Sequence, residues 1–269
     1  MTGKRTVQLA AGTFAATVVA VALLELSTQH TNYAKAETFG VGAASDGIAA
    51  VGTPTPITPT APVPAASTPP SSTPPTPAPG SAGRIYLTFD DGPSKYTTQI
   101  LDILRQNHSH ATFFIIGRQV STFPDTIRTM KEDGNAIGLH SWAHTSYKKL
   151  SYGQIREDIV ATKDAIQAAG GNPGLCLRPP YGDMNQNSWT SIGDTGYHVI
   201  MWDVDTADWK GIPTENIIGE ILAHPQPDRI VLMHDGGVRE KTVEAVRQVV
   251  PELIKRGYSV EAYPACLPG

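Results

Sequence analysis

The chain has 269 residues, 40% of them hydrophobic and 17% charged, and a formal net charge of −4. With acidic and basic side chains mixed along its length it has no basic patch for a phosphate backbone and no recognisable nucleic-acid module. A neutral or amphoteric polymer suits such a surface better than a polyanion.

In chain order, Lys4 and Arg5 precede an apolar run from about Leu9 to Leu24, and Ala34-Lys35-Ala36 offers a small-x-small cleavage point before Glu37. This is the pattern of an export signal. Residues 1–36 are therefore expected to direct export, leaving the protein secreted, in the cell wall or held at the membrane facing outside. The run is near the lower limit for spanning a bilayer, so an uncleaved anchor with its N-terminus in the cytoplasm is the alternative. Residues 37–83 read as a linker. Between Thr53 and Pro79 they are almost all Pro, Thr, Ser and Ala, a composition that builds no core and, as polyproline II, spans on the order of 80 Å.

Residues 84–269 read as one domain. Short apolar runs alternate with helical patterns at Thr97 to Gln106, Pro124 to Glu132, Tyr152 to Ala169, Gln186 to Gly193, Thr214 to Leu222 and Val238 to Arg256. That alternation is the signature of a parallel sheet with helical crossovers, an α/β fold; periodicity leaves an open sheet and a barrel undecided.

Five of the apolar runs end in polar residues. Arg84 to Phe89 leads into Asp90-Asp91-Gly92-Pro93, and Ala136 to Leu139 into His140-Ser141-Trp142-Ala143-His144. Leu175 to Leu177 leads into Arg178-Pro179-Pro180-Tyr181-Gly182, Tyr197 to Trp202 into the acidic segment Asp203 to Trp209, and Arg229 to Met233 into His234-Asp235-Gly236-Gly237. Each has a bland reading taken singly: an Asp-Gly turn, a solvated pair of histidines, a proline turn, an acidic loop, a strand-capping histidine. Side chains alternate along a strand, however, so two adjacent aspartates at its end would normally send one carboxylate into the core at a cost that a cation relieves. Two imidazoles and one carboxylate are the usual protein ligands of an open catalytic zinc or related divalent site. Five such clusters at C-terminal strand ends occupy the face on which parallel α/β folds assemble active sites.

These residues resemble the NodB-type polysaccharide deacetylases, carbohydrate esterase family four, from about Arg84 to the C-terminus. The five short motifs occur in order at Thr88 to Pro93, His140 to His144, Arg178 to Gly182, Asp205 to Trp209 and Leu232 to His234, with no departure at any motif position. The resemblance implies a distorted, incomplete (β/α) barrel of about seven parallel strands. It also implies a divalent metal, zinc or another such as cobalt, on Asp91, His140 and His144. Asp90 would be the general base, paired with and ionised by Arg178. The backbone N–H of Tyr181 would help hold the oxyanion, and His234, hydrogen-bonded to Asp208, would protonate the leaving nitrogen. Leu232 and Trp209 would wall a pocket for the acetyl methyl.

The activity so implied is removal of N-acetyl groups from N-acetylglucosamine units of a polysaccharide, peptidoglycan first and chitin-type oligomers second, by a monomer. An O-acetyl esterase on a polysaccharide such as acetylxylan is the alternative within the fold, and a non-catalytic, metal-bearing wall-binding protein the alternative outside it. A binding protein would have no need of Asp90, Arg178 and His234. Among the remaining residues, His108, His110, His198 and His224 are expected to be ordinary surface or element-end residues, Asp183 a turn residue, and Tyr147 and Trp189 core packing. Cys176 and Cys266 are the only cysteines; an exporting compartment favours a bridge between them, worth roughly 4 to 5 kcal/mol in the chain-entropy model, over two buried thiols.

Overall fold

The computed structural model describes residues 81–268 apart from His224. The expected export segment and the linker up to residue 80 lie outside the described residues, as does His224.

Among the described residues eight strands are all paired in parallel: β1 (Gly83–Gly92), β2 (Thr112–Ile115), β3 (Ala136–Leu139), β4 (Cys176–Leu177), β5 (His198–Val199), β6 (Val204–Asp205), β7 (Arg229–His234) and β8 (Tyr258–Val260). Seven run in the order β5-β4-β3-β2-β1-β7-β6, and β8 pairs with the beginning of β1. The ends of that order are consecutive in sequence. Only residues 200–203 separate β5 from β6, a reach of at most about 17 Å, whereas six flat spacings would set the edges roughly 29 Å apart. The sheet must therefore curl until its edges approach. Ile200 donates its N–H to Leu177 O on β4 at 2.9 Å, and Asp203 donates to Ile230 O on β7 at 2.9 Å, so this short segment bridges the gap. The result is a curled half-barrel of seven parallel strands, the expected fold.

Six α-helices among the described residues cover the outside of the sheet: α1 (Lys95–Gln106), α2 (Pro124–Glu132), α3 (Tyr152–Ala168), α4 (Gln186–Gly193), α5 (Thr214–Leu222) and α6 (Glu240–Lys255). Capping boxes start α1 at Ser94 and α3 at Ser151, satisfying backbone donors the first turn leaves open. The core between helices and sheet is built from Leu87, Phe89, Phe113, Ile137, Ile100, Val246 and their neighbours, all buried. Cys176, at the start of β4, is bridged to Cys266.

Several elements differ from the sequence reading. The first strand begins at Gly83, inside the span expected to be linker, and continues through Gly92 instead of breaking after Phe89. β2 falls between the first two helical patterns, where the alternation implied a strand without naming its residues; its run Thr112-Phe113-Phe114-Ile115 is wholly buried and ends without a titratable residue. The run Tyr197 to Trp202 forms only the two-residue β5, since the chain there leaves one edge of the sheet for the other. Trp189 is 52% exposed on α4, not in the core, whereas Tyr147 is fully buried.

Candidate active site

The C-terminal end of β1 carries the first two functional side chains, and a bulge decides where they point. The register with β2 slips between Asp90 and Gly92, and Asp91 takes a left-handed conformation with φ 77°. A bulge inserts a residue and cancels the strict alternation of a strand. Both aspartates consequently reach the same imidazole: His140 Nε2 is 3.8 Å from Asp90 Oδ2 and 3.6 Å from Asp91 Oδ1. Alternation alone was expected to send the two carboxylates to opposite faces; the bulge instead turns both toward one imidazole. Close stacking permits it, since a Cβ on Gly236 would lie 2.4 Å from the Asp91 carbonyl oxygen.

Asp91 Oδ1 also lies 3.2 Å from His144 Nε2, and it is buried with no hydrogen-bond partner. His140 donates its Nδ1–H to the Arg178 carbonyl at 2.8 Å, which leaves Nε2 as a lone pair aimed at the carboxylates. Burial pulls the pKa of His140 down to about 3, so the ring is neutral. Two imidazoles and a carboxylate converge with ligand atoms within 4.8 Å of one another, the single grouping of this kind among the described residues. An orphaned buried oxygen facing a lone pair is the state that a divalent cation resolves, so the donor set fits a metal.

Arg178, at the end of β4, is completely buried and crosses the barrel interior. Its Nη1 donates to Asp90 Oδ1 at 2.8 Å and to Thr88 Oγ1 at 2.7 Å, Nε to Ile200 O at 3.1 Å and Nη2 to Met201 O at 3.0 Å. The guanidinium lies over the Phe114 ring at 4.2 Å. It thus ties β4, β1 and the segment that closes the sheet into one unit, with Asp90 held at its tip. Arg178 was expected to keep Asp90 below the ordinary carboxylate range. Instead burial, the larger influence, pushes Asp90 above that range although Arg178 and His234 pull it down.

Opposite, Asp90 is in register with His234 at the end of β7. Asp208, in a 3₁₀ turn spanning Asp208–Lys210, accepts His234 Nδ1–H at Oδ1 (2.7 Å), and at Oδ2 it accepts the His234 backbone N–H (2.9 Å) and the Thr242 hydroxyl (2.8 Å). Burial alone would raise Asp208, but the His234 bond and charge hold it below the usual range. For His234 burial acts downward, and the Asp208 bond and charge carry it above the usual imidazole range.

Of the remaining expected residues, Leu232 is buried two positions before His234, on the same face of β7. Trp209 is 39% exposed with Lys210 Nζ 4.9 Å from its ring centre. Tyr181 has φ 63° and is largely exposed, its ring 4.5 Å from that of His144. Asp91, Ser141, His144, Tyr181 and Ala207 all adopt left-handed backbone in these strand-end loops, a concentration of strain typical of functional sites. His108, His110 and His198 lie at the surface. Asp183 accepts the Ser146 hydroxyl at 2.5 Å and pairs with Lys148, tying two site loops together.

Two participants had no assigned part. Thr88, inside the first motif, is a buried relay that donates to Val231 O at 2.7 Å while accepting from Arg178. Asp235 is wholly buried: its N–H donates to Asp90 O at 2.9 Å, its Oδ2 accepts the Thr97 hydroxyl at 2.5 Å, and burial pushes its pKa up to about 7. Its place next to His234 was the only signal in sequence.

The family model described as polysaccharide deacetylase matches residues 78–200 of the chain. A peptidoglycan-N-acetylglucosamine deacetylase of Bacillus cereus is 30% identical over 190 residues, covering 70% of this chain and 69% of that protein. A chitooligosaccharide deacetylase of a Bradyrhizobium species is 31% identical over 194 residues, covering 67% and 89%. The solved structure of a peptidoglycan deacetylase from Bacillus subtilis aligns with a TM-score of 0.63 at 33% identity, over 68% of this chain and 89% of that one.

Proposed function

Because the chain belongs to the polysaccharide deacetylase family, we propose that it is an exported, monomeric, zinc-dependent enzyme that removes N-acetyl groups from N-acetylglucosamine units of peptidoglycan, with chitin-type oligomers as the second substrate. Export is supported by the leader pattern around Lys4, Arg5 and Ala34-Lys35-Ala36, and the substrate by what the relatives above are named for. The observation that carries amide over ester cleavage is the 2.7 Å bond from His234 Nδ1–H to Asp208. An amide nitrogen is too basic to leave as an anion and needs a proton; an alkoxide needs less help, so an O-acetyl esterase has less use for an imidazole tuned to keep one.

Asp91, His140 and His144 would hold the cation. Bound there, it supplies a water of lowered pKa and a polarised acetyl carbonyl. Asp90 takes the proton of the attacking water; Arg178 fixes the orientation of its carboxylate, and the pKa raised by burial makes it a stronger base than an exposed aspartate. The Tyr181 N–H holds developing oxyanion charge. With Nδ1–H given to Asp208, His234 presents Nε2 to the departing nitrogen and delivers its proton there. Leu232 and Trp209 wall the space for the methyl group.

Acetate release measured in parallel on peptidoglycan, chitooligosaccharides and acetylxylan tests the reading. Fastest release is expected from peptidoglycan. Release from acetylxylan exceeding both N-acetylated polymers would replace it with the esterase reading.

A further inference from the structure

The loop that carries both imidazole ligands is strained, and something outside it must hold it. His140 directly follows β3, His144 lies four residues on, and Ser141 and His144 take φ values of 64° and 59°. Such conformations in non-glycine residues each cost on the order of 1 kcal/mol and persist only where the surroundings over-determine them. One edge of the loop is held by backbone: Gly117 N–H donates to Ser141 O and Arg118 N–H to Trp142 O, both at 3.0 Å. The approach is close enough that a Cβ on Gly117 would sit 2.6 Å from the Trp142 ring.

The other edge is held by a single side chain. Asp158, in the middle of α3, accepts the Trp142 backbone N–H at Oδ2 (3.0 Å) and the hydroxyl of the buried Tyr147 at Oδ1 (2.8 Å). Trp142 is thereby gripped at its amide by α3 and at its carbonyl by the Gly117–Thr122 turn. Tyr147, with its ring wholly buried, fixes the carboxylate that does the gripping. We infer that Asp158, braced by Tyr147, is a positioning residue that sets the backbone between His140 and His144 and so the spacing of the two imidazole ligands. This rests on the reading of Asp91, His140 and His144 as a metal site. Asp158 acts through the peptide, not through the ion, so its removal loosens ligand geometry while leaving every ligand in place.

The test uses cobalt(II) as probe, with affinity from calorimetric titration and ligand geometry from the visible absorption of the bound ion. Asp158→Ala is expected to bind cobalt about 10- to 100-fold more weakly, the usual effect of removing a group that orients ligands, and with an altered spectrum. Asp158→Asn can still accept the Trp142 N–H while its amide donates to the Tyr147 oxygen, so it is expected to bind within about threefold of wild type. Tyr147→Phe, which leaves the carboxylate unbraced, falls between the two and decides the matter should Asp158→Ala not fold. Wild-type affinity and spectrum in Asp158→Ala or, failing that, in Tyr147→Phe overturn the inference. Binding in Asp158→Asn as weak as in Asp158→Ala overturns it too, because charge and not hydrogen-bond geometry would then be what matters. A wild type that takes up no cobalt removes the metal reading itself, a different result from a wild type that binds beside an indifferent Asp158→Ala.

Discussion

On the β7 side of the site both oxygens of Asp208 are used, one by the His234 ring and the other by the His234 amide and the Thr242 hydroxyl. On the β1 side Asp91 Oδ1 is buried without a partner, 3.6 Å from an imidazole nitrogen that has no proton to offer. The first half is complete as protein alone: a carboxylate, an imidazole and the bonds that fix a tautomer. The second half is assembled around a position that protein atoms do not fill. In the proposed mechanism the contrast separates proton delivery, built from hydrogen bonds within the chain, from water activation, which the chain prepares and a cation would complete.

The largest effect on turnover is expected where that contrast is sharpest, between the neighbours Asp90 and Asp91. Removing the cation with a strong chelator should abolish acetate release, and zinc or cobalt should restore it. Asp91→Ala should lose metal affinity outright and recover partly in excess zinc. Asp90→Asn keeps the shape and can still accept from Arg178 but cannot take a proton; it should bind zinc normally and lose about 10²- to 10⁴-fold in kcat, the usual contribution of general-base catalysis. Calorimetric titration decides between them. Zinc binding lost in Asp90→Asn and kept in Asp91→Ala would exchange the two roles and break the division of the site.

A smaller effect is expected from the finished half. The proposed mechanism requires Asp90 ionised, which fails as pH falls, and His234 protonated, which fails as pH rises, so kcat/KM should be bell-shaped. Burial places the acid limb above the ordinary aspartate range, and the Asp208 bond and charge place the basic limb above the ordinary histidine range against the downward pull of burial. Asp208→Asn removes that charge. Its basic limb should move to lower pH, with a loss of up to about 10²-fold near neutrality, the low end for acid–base catalysis, while its zinc affinity stays as in wild type. A basic limb that does not move would mean that Asp208 is not what tunes His234.

Most of the site was legible because its residues stand at strand ends, where a polar cluster after an apolar run has few structural excuses. Asp91, His140, His144, Arg178 and His234 were visible in that way, and the topology brought them together. What was hidden depends on three-dimensional closure. The division of the Tyr197 to Trp202 run follows from the curl of the sheet, and no local pattern encodes it. Asp91 gives no sign of the bulge, since left-handed backbone is announced in sequence by glycine. The Arg178 charge beside Asp90 could be read, but the burial that outweighs it could not. Asp158 sits mid-helix among charged neighbours and reads as a solvated face; only the docking of α3 against the ligand loop makes it more than that.

The smallest effect on turnover is expected at the seam between the two halves, where Asp235 repeats the problem of Asp91 with a different solution. Its Oδ1 is also buried and unpartnered, and the carboxylate lies beneath the β1 turn, where a Cβ on Gly92 would come within 2.4 Å of Oδ2. Burial first, and then the Asp91 and Asp90 charges, raise its pKa from 3.8 to about 7. Where Asp91 calls for a cation, Asp235 calls for a proton. The folded state then binds a proton more tightly than the unfolded one, so its stabilising contribution is full below about pH 4 and is lost as pH rises through about 7. Asp235→Asn, which resembles the protonated acid and cannot ionise, should escape this loss. Its Tm relative to wild type should rise by a few degrees between about pH 4 and pH 7 and then level off. The rise should be larger in chelator-stripped protein, because a bound cation offsets the neighbouring carboxylates that contribute to the shift. A Tm difference that stays flat across this range would show that Asp235 is ionised in the folded protein, and its likeness to Asp91 would end at burial.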